Sequence, residues 1–593
     1  MSSLGCPPRN ALCAVAAVGL FACGSLDDHR GGDVAGPLPA TPGEVRRFPA
    51  VAGADWGWLA PDADNPRYLR ATDEHGSRPF AIASYGTLVP CSFDGSQAAR
   101  LKRQGATYAV VWHQWSGCQA GPPNWFEAPW SGPWLLVCDP RDPGQSGRCP
   151  EHPLWDLSRF DDAYWRQLEA VVAAADDPAD GTGKRLVVRI HLFARQEFDA
   201  GSTYNPFRGG NNVNGARSYD GDPSGDPSLR SFVRATQICS TSCDEPARGV
   251  FEYQQQYVRR LLDATWRHGN VVYEVMNEPP VAQNPESENA RAFAYFTEYW
   301  SWFVKGYLAR QHGVARLVSQ NERTDAYASA NVDIADARWG DHDPGIPELV
   351  FLNDVLGGLT ASLRASYFAN RKATSLDEYG NSEVDPARLR RAAWAIVTNG
   401  GHFHLEDPCN PEFRTCTNPP DVDGAPADPA LNAEPWLPVR SIAAFTAASG
   451  WQFQRARPAY RADLASASWF YWMVQGDPAF DTLGFDRAGV QDHVGYLAHR
   501  PAEACTTVPL ESELPPTPVG ANEYVVRLWD PAGTDYLRDS TGNVLERRFS
   551  WPGGVFDWCQ TAFRHAIVRA EDLVFHVHAE RSAALQPFRG MSP

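Results

Sequence analysis

The chain has 593 residues and a formal net charge of −18. This length exceeds what one small core can organise and suits a large domain with an appended module. The negative charge disfavours nucleic acid or an anionic membrane surface as a partner, because like charges repel. The 21 Trp, 20 Tyr and 28 Phe predict an aromatic core, and such rings also suit a cleft that stacks on sugar faces.

Residues 1–23 have the pattern of an export signal. Arg9 precedes the apolar run 11–22, which is too short to span a membrane. The stretch Leu20-Phe21-Ala22-Cys23 resembles a bacterial lipobox, which implies a lipid-modified Cys23; an ordinary signal peptide is the alternative. The segment 24–45 is rich in Gly, Pro and Asp and predicts a flexible tether. We therefore expect a lipoprotein of the outer membrane or cell surface, or otherwise a periplasmic or secreted protein.

Ten of the 13 cysteines lie beyond the predicted signal, since three precede residue 24. An even number in an oxidising compartment predicts disulfides. Close spacing suggests the local pairs Cys138–Cys149, Cys239–Cys243 and Cys409–Cys416. Cys91 and Cys118 would follow adjacent strands, and Cys505–Cys559 would tie the C-terminal region, as one set among several possible connectivities. Zinc is the alternative, but paired Cys-x-x-Cys spacings do not occur. The sequence therefore predicts neither a metal nor a cofactor.

Strand and helix patterns alternate along residues 46–464. Predicted strands lie at 79–84, 107–113, 184–193, 271–276, 315–320, 332–339, 373–378 and 401–405. Predicted helices lie at 96–103, 158–175, 248–268, 286–311, 347–369, 386–398 and 438–456. Eight strands with intervening helices predict an α/β fold, the (β/α)8 TIM barrel, with its active site at the carboxyl ends of the strands.

Two long segments of the predicted barrel, 116–157 and 194–246, have little periodicity and are expected to be loops that build the cleft walls. Beyond residue 464 the helical period fades. Strand patterns at 523–529, 542–549 and 572–578 predict that residues 465–593 form a C-terminal antiparallel β-sandwich module.

Two of the predicted strands end in a glutamate. Val271–Met276 is an apolar run that stops at Asn277-Glu278-Pro279, and the strand from Ala373 stops at Asp377-Glu378-Tyr379-Gly380. Strand ends of a parallel barrel meet at one rim, so Glu278 and Glu378 are predicted to face one cleft. A retaining glycosidase needs such a pair about 5–5.5 Å apart. Asp377 is the alternative to Glu378, because neighbouring residues on a strand face opposite sides.

This combination resembles clan A of the glycoside hydrolases, the retaining barrels that include family 5 cellulases and mannanases. The resemblance is carried by Asn277-Glu278-Pro279 after the fourth strand and by Glu378 after the seventh, and it covers residues 50–460. It implies that Glu278 is the acid/base, that Glu378 is the nucleophile, and that Asn277 bonds the sugar 2-hydroxyl. Like charges so close favour one protonated carboxyl near neutral pH.

Further polar and aromatic residues end the other predicted strands and are candidates for binding sugar. Arg189 and His191 share one face of the third strand, where the family often has a sugar-binding His, and Glu274 is the expected partner of Arg189. A structural role inside the barrel is the alternative for both. The remaining candidates are His113, Trp115, Trp339, His342 and His404. His404 shares a face with His402 and Glu406, which could instead bind a metal or pair structurally.

The sequence therefore predicts an exported glycosidase that cleaves the O-glycosidic bonds of a poly- or oligosaccharide by double displacement. Two alternatives remain open. One is a non-catalytic surface protein that binds glycans on a barrel scaffold, and the other is a transglycosylase that uses the same two acids.

Overall fold

The structure is a computed structural model, and it describes the chain in segments with gaps between them. The described residues are 54–63, 65–73, 76–80, 83–85, 87–88, 96–104, 106–111, 132–139, 152–198, 205–207, 210–216, 229–239, 245–279, 288–321, 329–338, 351–369, 372–377, 386–405, 437–451, 456–458, 470–475, 492–498, 511–514, 523–532, 535–552, 554–560 and 572–580.

The first strands form a small antiparallel sheet. They are β1 Leu59–Pro61, β2 Leu69–Asp73 and β3 Gly76–Phe80, in the order β1-β2-β3. The predicted strand 79–84 is therefore wrong in its bounds, because Pro79 and Phe80 pair with β2 in this sheet and the next strand begins at Ala83.

The next strands supply a parallel sheet and one separate hairpin. They are β4 Ala83–Tyr85, β5 Thr87–Leu88, β6 Tyr108–Val111, β7 Trp134–Cys138, β8 Leu154–Phe160, β9 Val187–Ala194, β10 Val271–Asn277, β11 Leu317–Asn321, β12 Ile334–Arg338, β13 Ala373–Asp377 and β14 His402–Leu405. The parallel sheet has the order β4-β14-β13-β12-β11-β10-β9-β6-β5, while β7 and β8 pair only with each other. Its two outer strands, β4 and β5, are separated in sequence by one residue.

Helices connect the strands of the parallel sheet. They are α1 Ser96–Gln104, α2 Asp162–Asp176, α3 Leu229–Cys239, α4 Glu245–Thr265, α5 Glu288–Tyr307, α6 Gly357–Ala369, α7 Pro386–Val397 and α8 Leu437–Ser449, with π-helical turns at Leu308–His312 and Phe351–Leu356. A parallel sheet with such helices fits the predicted α/β class and a TIM-like fold, while the complete (β/α)8 barrel stays a prediction. Among the described residues, no helix combines the length and the apolarity that a membrane crossing requires.

The two segments expected to be irregular contain regular structure. The segment 116–157 supplies β7 and the start of β8, and 194–246 supplies α3. The helix predicted to start at residue 158 starts at Asp162, because β8 continues to Phe160 and the Asp161 carboxylate caps the helix by accepting from the Ala163 amide. The two segments also join: the Trp155 amide donates to the Asn211 carbonyl at 2.8 Å, and the Val213 amide to the Trp155 carbonyl at 2.9 Å.

A compact apolar cluster closes the amino-terminal end of the parallel sheet. Each of the strands β6 and β9 to β13 contributes one residue at or next to its start, and the small sheet contributes two leucines. The cluster consists of Tyr108, Val187, Val272, Leu317, Ile334, Ala373, Leu59 and Leu69. The β1–β3 sheet therefore covers the amino-terminal end, so that the functional residues are expected at the carboxyl ends of the strands.

The final strands form an antiparallel unit. They are β15 Ala456–Pro458, β16 Phe470–Gln475, β17 Asp492–Leu497, β18 Glu511–Leu514, β19 Glu523–Asp530, β20 Asp535–Tyr536, β21 Glu546–Phe549, β22 Gly554–Asp557 and β23 Leu573–Glu580. One sheet has the order β15-β16-β17-β23-β19-β20, with β21 also paired to β19, and β18 pairs with β22. The predicted strands 523–529, 542–549 and 572–578 correspond to β19, β21 and β23.

The antiparallel sheet packs directly on the helices of the parallel sheet. The Trp529 ring lies 5.4 Å from that of Phe445 on α8, and the Tyr496 ring stacks on Trp394 of α7 at 5.9 Å. Arg390 of α7 forms a buried ion pair with Asp572 at 2.9 Å, and the Tyr496 hydroxyl donates to the same carboxylate. Tyr496 of β17, Trp529 of β19 and Val574 of β23 belong to the same buried apolar cluster as the core of the parallel sheet.

Candidate active site

Towards the carboxyl ends of the strands, the side chains that follow the apolar cluster on the same face of the parallel sheet are polar. Because side chains alternate along a strand, the residues two places after Val187, Val272, Leu317 and Ala373 point to the same side. These residues are Arg189, Glu274, Ser319 and Ser375, and all four are at most 1% exposed. A polar layer therefore lies between the apolar cluster and the carboxyl ends of the strands.

The centre of this layer is an ion pair. Arg189 Nη1 lies 2.9 Å from Glu274 Oε2, and both side chains are buried, which confirms the partner predicted for Arg189. The Arg189 guanidinium also lies 5.9 Å from the Tyr108 ring centroid. Glu274 is in register with His191 on one neighbouring strand and with Ser319 on the other. A buried charge is tolerated only when it is paired in this way, so the pair fixes β9 against β10 below the strand ends.

Glu278 lies directly beyond the carboxyl end of β10. It is 8% exposed, and its Oε2 accepts a hydrogen bond from Arg195 Nη2 at 3.1 Å. Its backbone has a φ of +45°, and it is the one non-glycine residue with a positive φ among those the structure describes. The left-handed region costs an L-residue free energy and is concentrated at functional positions, so the conformation marks Glu278 as a functional candidate.

Asn277 is held beside Glu278 by the next strand. The amide of Asn321, the last residue of β11, donates from Nδ2 to Asn277 Oδ1 at 3.3 Å. Gln320 donates to the Met276 carbonyl at 3.1 Å and accepts from Thr297 of α5. Asn277 and Asn321 are both at most 1% exposed. These amide contacts fix the end of β10 from one side, as Arg195 does from the other.

The predicted site residues are placed only in part. Glu278, Asn277 and His191 lie on or directly after β10 and β9, and His404 lies on β14. His113, Trp115, Trp339, His342 and Glu378 lie outside the described residues, although Glu378 directly follows Asp377, the last residue of β13. Arg195 and Asn321 were missed by the sequence reasoning. The signal that could have found them is their position, since each stands at the carboxyl end of a predicted strand.

His402 of β14 has a structural role. Its Nε2 lies 3.1 Å from the Arg67 carbonyl, and its ring packs edge-on against Tyr68 at 5.4 Å. Burial lowers the pKa of His402 to about 4, which keeps the ring neutral. Within the described part of the chain no group of three His, Cys, Asp or Glu side chains could hold a metal ion. The alternative metal set of His402, His404 and Glu406 lies partly outside it.

The part of the chain that the structure describes contains three cysteines, Cys138, Cys239 and Cys559. Each predicted pair includes at least one cysteine outside the described residues, so the pairs remain predictions.

Comparison with known proteins gives structural neighbours but no sequence relatives. No protein-family model and no curated protein matches the chain. A glycoside hydrolase family 5 structure from Bacteroides vulgatus is 11% identical, with 91% of this chain and 96% of that chain covered and a TM-score of 0.48. A further glycoside hydrolase is 13% identical, with 89% and 98% covered and a TM-score of 0.45.

The endo-β-1,4-mannanase of Thermotoga petrophila is 10% identical, with 70% of this chain and 94% of that chain covered and a TM-score of 0.36. These neighbours are glycoside hydrolases, but identities and TM-scores this low do not transfer chemistry from one chain to another. A functional assignment must therefore rest on the residues of the site itself.

Proposed function

We propose that the chain is an exported retaining glycoside hydrolase in which Glu278 is the acid/base and Glu378 is the nucleophile. The observation that carries the proposal is Glu278 itself. It is a buried carboxylate in a left-handed conformation at the carboxyl end of a parallel strand, and it is paired with Arg195. A carboxylate is held at such a cost where it has chemistry to perform.

The sheet topology supports a second carboxylate on the same edge. Glu378 directly follows β13. In the parallel sheet two strands, β12 and β11, lie between β13 and β10. The two outer strands, β4 and β5, belong to one stretch of chain interrupted by a single residue. The proposal therefore includes closure of the sheet into a (β/α)8 barrel, with Glu278 and Glu378 facing each other across its mouth.

In the proposed first step, the Glu378 carboxylate attacks the anomeric carbon while Glu278 gives its proton to the leaving oxygen. In the second step, Glu278 removes a proton from water, and the water oxygen displaces Glu378 from the sugar. Asn277, fixed by Asn321, would bond a sugar hydroxyl beside the reacting carbon. The substrate is a poly- or oligosaccharide, and the protein's own charge of −18 favours a neutral one.

The test is hydrolysis of a panel of plant, microbial and algal glycans by the full chain and by three variants. Glu278→Gln should lower kcat about 10²- to 10⁴-fold, the usual contribution of general acid–base catalysis. Glu378→Gln should abolish turnover. The control is Glu169→Gln, since the Glu169 side chain on α2 is 42% exposed and pairs only at 3.7 Å with Arg267. NMR of the first product should show the anomeric configuration of the substrate.

Three results would contradict the proposal in different ways. Glycan binding without hydrolysis, unchanged in Glu278→Gln, would identify a non-catalytic glycan-binding protein. Inverted product would exclude the double displacement. Products enlarged by an added acceptor sugar would identify a transglycosylase that uses the same two acids.

The proposal of lipid attachment rests on Leu20-Phe21-Ala22-Cys23 alone. Cys23→Ala should release the protein from the membrane fraction of the expressing bacterium, and Cys13→Ala is the matched control. Equal membrane association of the two variants would contradict attachment at Cys23.

A further inference from the structure

Arg195 and Glu278 occupy equivalent places on two neighbouring strands. The ends of β9 and β10 are in register through Ala194 and Asn277, so the next residue along each strand is Arg195 on one side and Glu278 on the other. The guanidinium donates from Nη2 to Glu278 Oε2 at 3.1 Å. The Arg195 side chain is 36% exposed, so it borders the mouth of the sheet and is not part of the buried layer below.

The turn that carries Arg195 is fixed on both sides by aromatic packing. The Phe193 ring lies 5.1 Å from both the Phe296 and the Trp300 ring of α5. Three residues after Arg195, the Phe198 ring lies 4.8 Å from Phe232 of α3. Arg195 therefore extends from a short 3-10 segment, Arg195–Phe198, that is held against two helices. A guanidinium on such a support can define the orientation of the group it bonds.

The contact distinguishes the two oxygens of Glu278. An arginine guanidinium is always protonated and only donates, so an oxygen that accepts from it is unfavourable as the site of the carboxyl proton. With Oε2 bonded to Arg195, the proton of a protonated Glu278 resides on Oε1. In the reverse role, the same oxygen, Oε1, accepts the proton from water.

We propose that Arg195 is a positioning residue that selects Oε1 of Glu278 as the atom which delivers and recovers the proton. The inference rests on the proposed hydrolase function and adds a group to it. In the first step the Oε1–H bond breaks and the proton passes to the leaving oxygen, as the glycosidic bond breaks and the bond to Glu378 forms. In the second step Oε1 takes the proton of the attacking water, as the bond to Glu378 breaks.

The test uses aryl glycosides of the sugar that the wild-type enzyme cleaves, with a series of leaving groups. Arg195→Met should lower kcat/KM about 10- to 100-fold for a poor leaving group that needs its proton, but less than about 3-fold for dinitrophenolate, which departs without one. Arg195→Lys, which keeps the charge and loses the planar fork, should recover part of the loss.

The dependence of log(kcat/KM) on the leaving group is a readout that a purely structural residue would not move, because a disturbed fold lowers the rate for every leaving group alike. Arg195→Met should therefore make this dependence steeper. The matched control is Arg185→Met. Arg185 lies two residues before the start of β9, is 35% exposed and pairs with Asp176 at 3.2 Å. Arg185→Met should leave the leaving-group dependence unchanged.

The outcomes separate the inference from the function on which it rests. If Glu278→Gln and Glu378→Gln are as active as the wild type, the hydrolase proposal fails and the role of Arg195 fails with it. If those two variants are inactive, but Arg195→Met loses the same factor for every leaving group, the role of Arg195 alone is overturned. Thermal unfolding of Arg195→Met shows whether a uniform loss reflects misfolding, and the leaving-group dependence of Arg195→Lys then decides.

Discussion

The backbone at Glu278 combines two restrictions. Its φ of +45° lies in the left-handed region, where the Cβ atom approaches the following carbonyl at a cost of about 1–2 kcal/mol. Pro279 follows and disfavours helical backbone at the residue before it. The surrounding strand and its amide contacts hold this conformation, so the residue proposed to be catalytic reduces the stability of the fold.

The strain at Glu278 predicts a difference between two neutral amides. Asn adopts the left-handed region more readily than Gln, because its short side chain bonds locally to the backbone. We therefore expect Glu278→Asn to be more stable than Glu278→Gln by about 1 kcal/mol in the free energy of unfolding. Urea-induced unfolding of the two purified variants measures this difference.

The same pair of variants controls for charge, since both replace the carboxylate by an amide and both lose the ionic contact with Arg195. Equal stability, or a more stable Gln variant, would show that the backbone at residue 278 is not strained.

The small β1–β3 sheet depends on one close backbone approach. Gly57 has a φ of +71°, and a Cβ placed on it would lie 2.6 Å from the Cα of Gly269. Next to it, Trp58 Nε1 donates to Asp176 Oδ1 at 2.7 Å. The segment therefore lies directly against the turn before β10, and a side chain would force it away.

Gly57→Ala should lower the free energy of unfolding by about 3 kcal/mol, the sum of left-handed strain and overpacking. Gly181→Ala is the control. Its φ of +87° imposes the same kind of strain, but the space around its Cβ position is open to 4 Å, so a loss of about 1 kcal/mol is expected. Chemical denaturation measures both. A loss at Gly57 no larger than that at Gly181 would contradict the close approach.

The antiparallel sheet is joined to α7 by a buried charge. The Asp572 carboxylate accepts from Arg390 Nε and Nη2, and also from the Tyr496 hydroxyl. Burial and the nearby Asp572 charge raise the pKa of Tyr496 well above its usual value, so its hydroxyl stays a donor. Removal of Asp572 would leave the Arg390 guanidinium buried without this counter-ion.

Asp572→Ala should therefore destabilise the protein by about 3–5 kcal/mol, the usual result of removing one partner of a buried pair. Glu546→Ala is the control, because its pair with Arg527 is 25–30% exposed and should cost less than about 1 kcal/mol. Thermal unfolding of both variants tests this. Equal melting temperatures would indicate that the contact between α7 and β23 contributes little to stability.

Sequence reasoning succeeded where one periodic pattern determined an element. Apolar runs such as those of β6, β9 and β10 predicted parallel strands, and the prediction that Arg189 pairs with Glu274 followed from the cost of a buried charge. It failed for α3 and for β7, because these short elements lie among Gly-, Ser- and Pro-rich stretches and gain their stability from tertiary packing. Phe232 of α3, for example, packs on Phe193 and Phe207.

The residues of the site also differ in whether a local sequence pattern predicts them. A strand that stops at an acid is visible in sequence, so Glu278 was found. The contacts that hold it are not visible, since Arg195 and Asn321 reach Glu278 and Asn277 from neighbouring strands 83 and 44 residues away. Pairing between strands of distant sequence position, not local pattern, brings these residues together.

At the scale of the whole molecule, three buried histidines couple folding to pH. Burial lowers the pKa of His402 to about 4 and that of His493 to about 3. Burial, with the charges of His578 and Arg527, lowers the pKa of His576 to about 3. His402 belongs to the parallel sheet, while His493 and His576 belong to the antiparallel one. Each ring is neutral in the folded protein and gains a proton near pH 6.5 when the chain unfolds.

The unfolded chain therefore binds more protons than the folded protein below pH 6.5, so acid favours unfolding. The stabilising contribution of each histidine is complete above pH 6.5 and is lost as the pH falls towards the folded pKa of about 3 or 4. At pH 5, before most carboxylates titrate, the loss should be about 2 kcal/mol for each histidine. Urea unfolding at pH 7 and pH 5 measures it.

His402→Gln gives the decisive comparison. An amide can still donate to the Arg67 carbonyl, which His402 Nε2 contacts at 3.1 Å, but it cannot titrate. The variant should lose about 2 kcal/mol less than the wild type between pH 7 and pH 5, whatever its stability at pH 7. An identical loss in both proteins would mean that His402 is already protonated in the folded state. Its contact with the carbonyl would then not depend on a neutral ring, and the acid sensitivity of the fold would have to arise elsewhere.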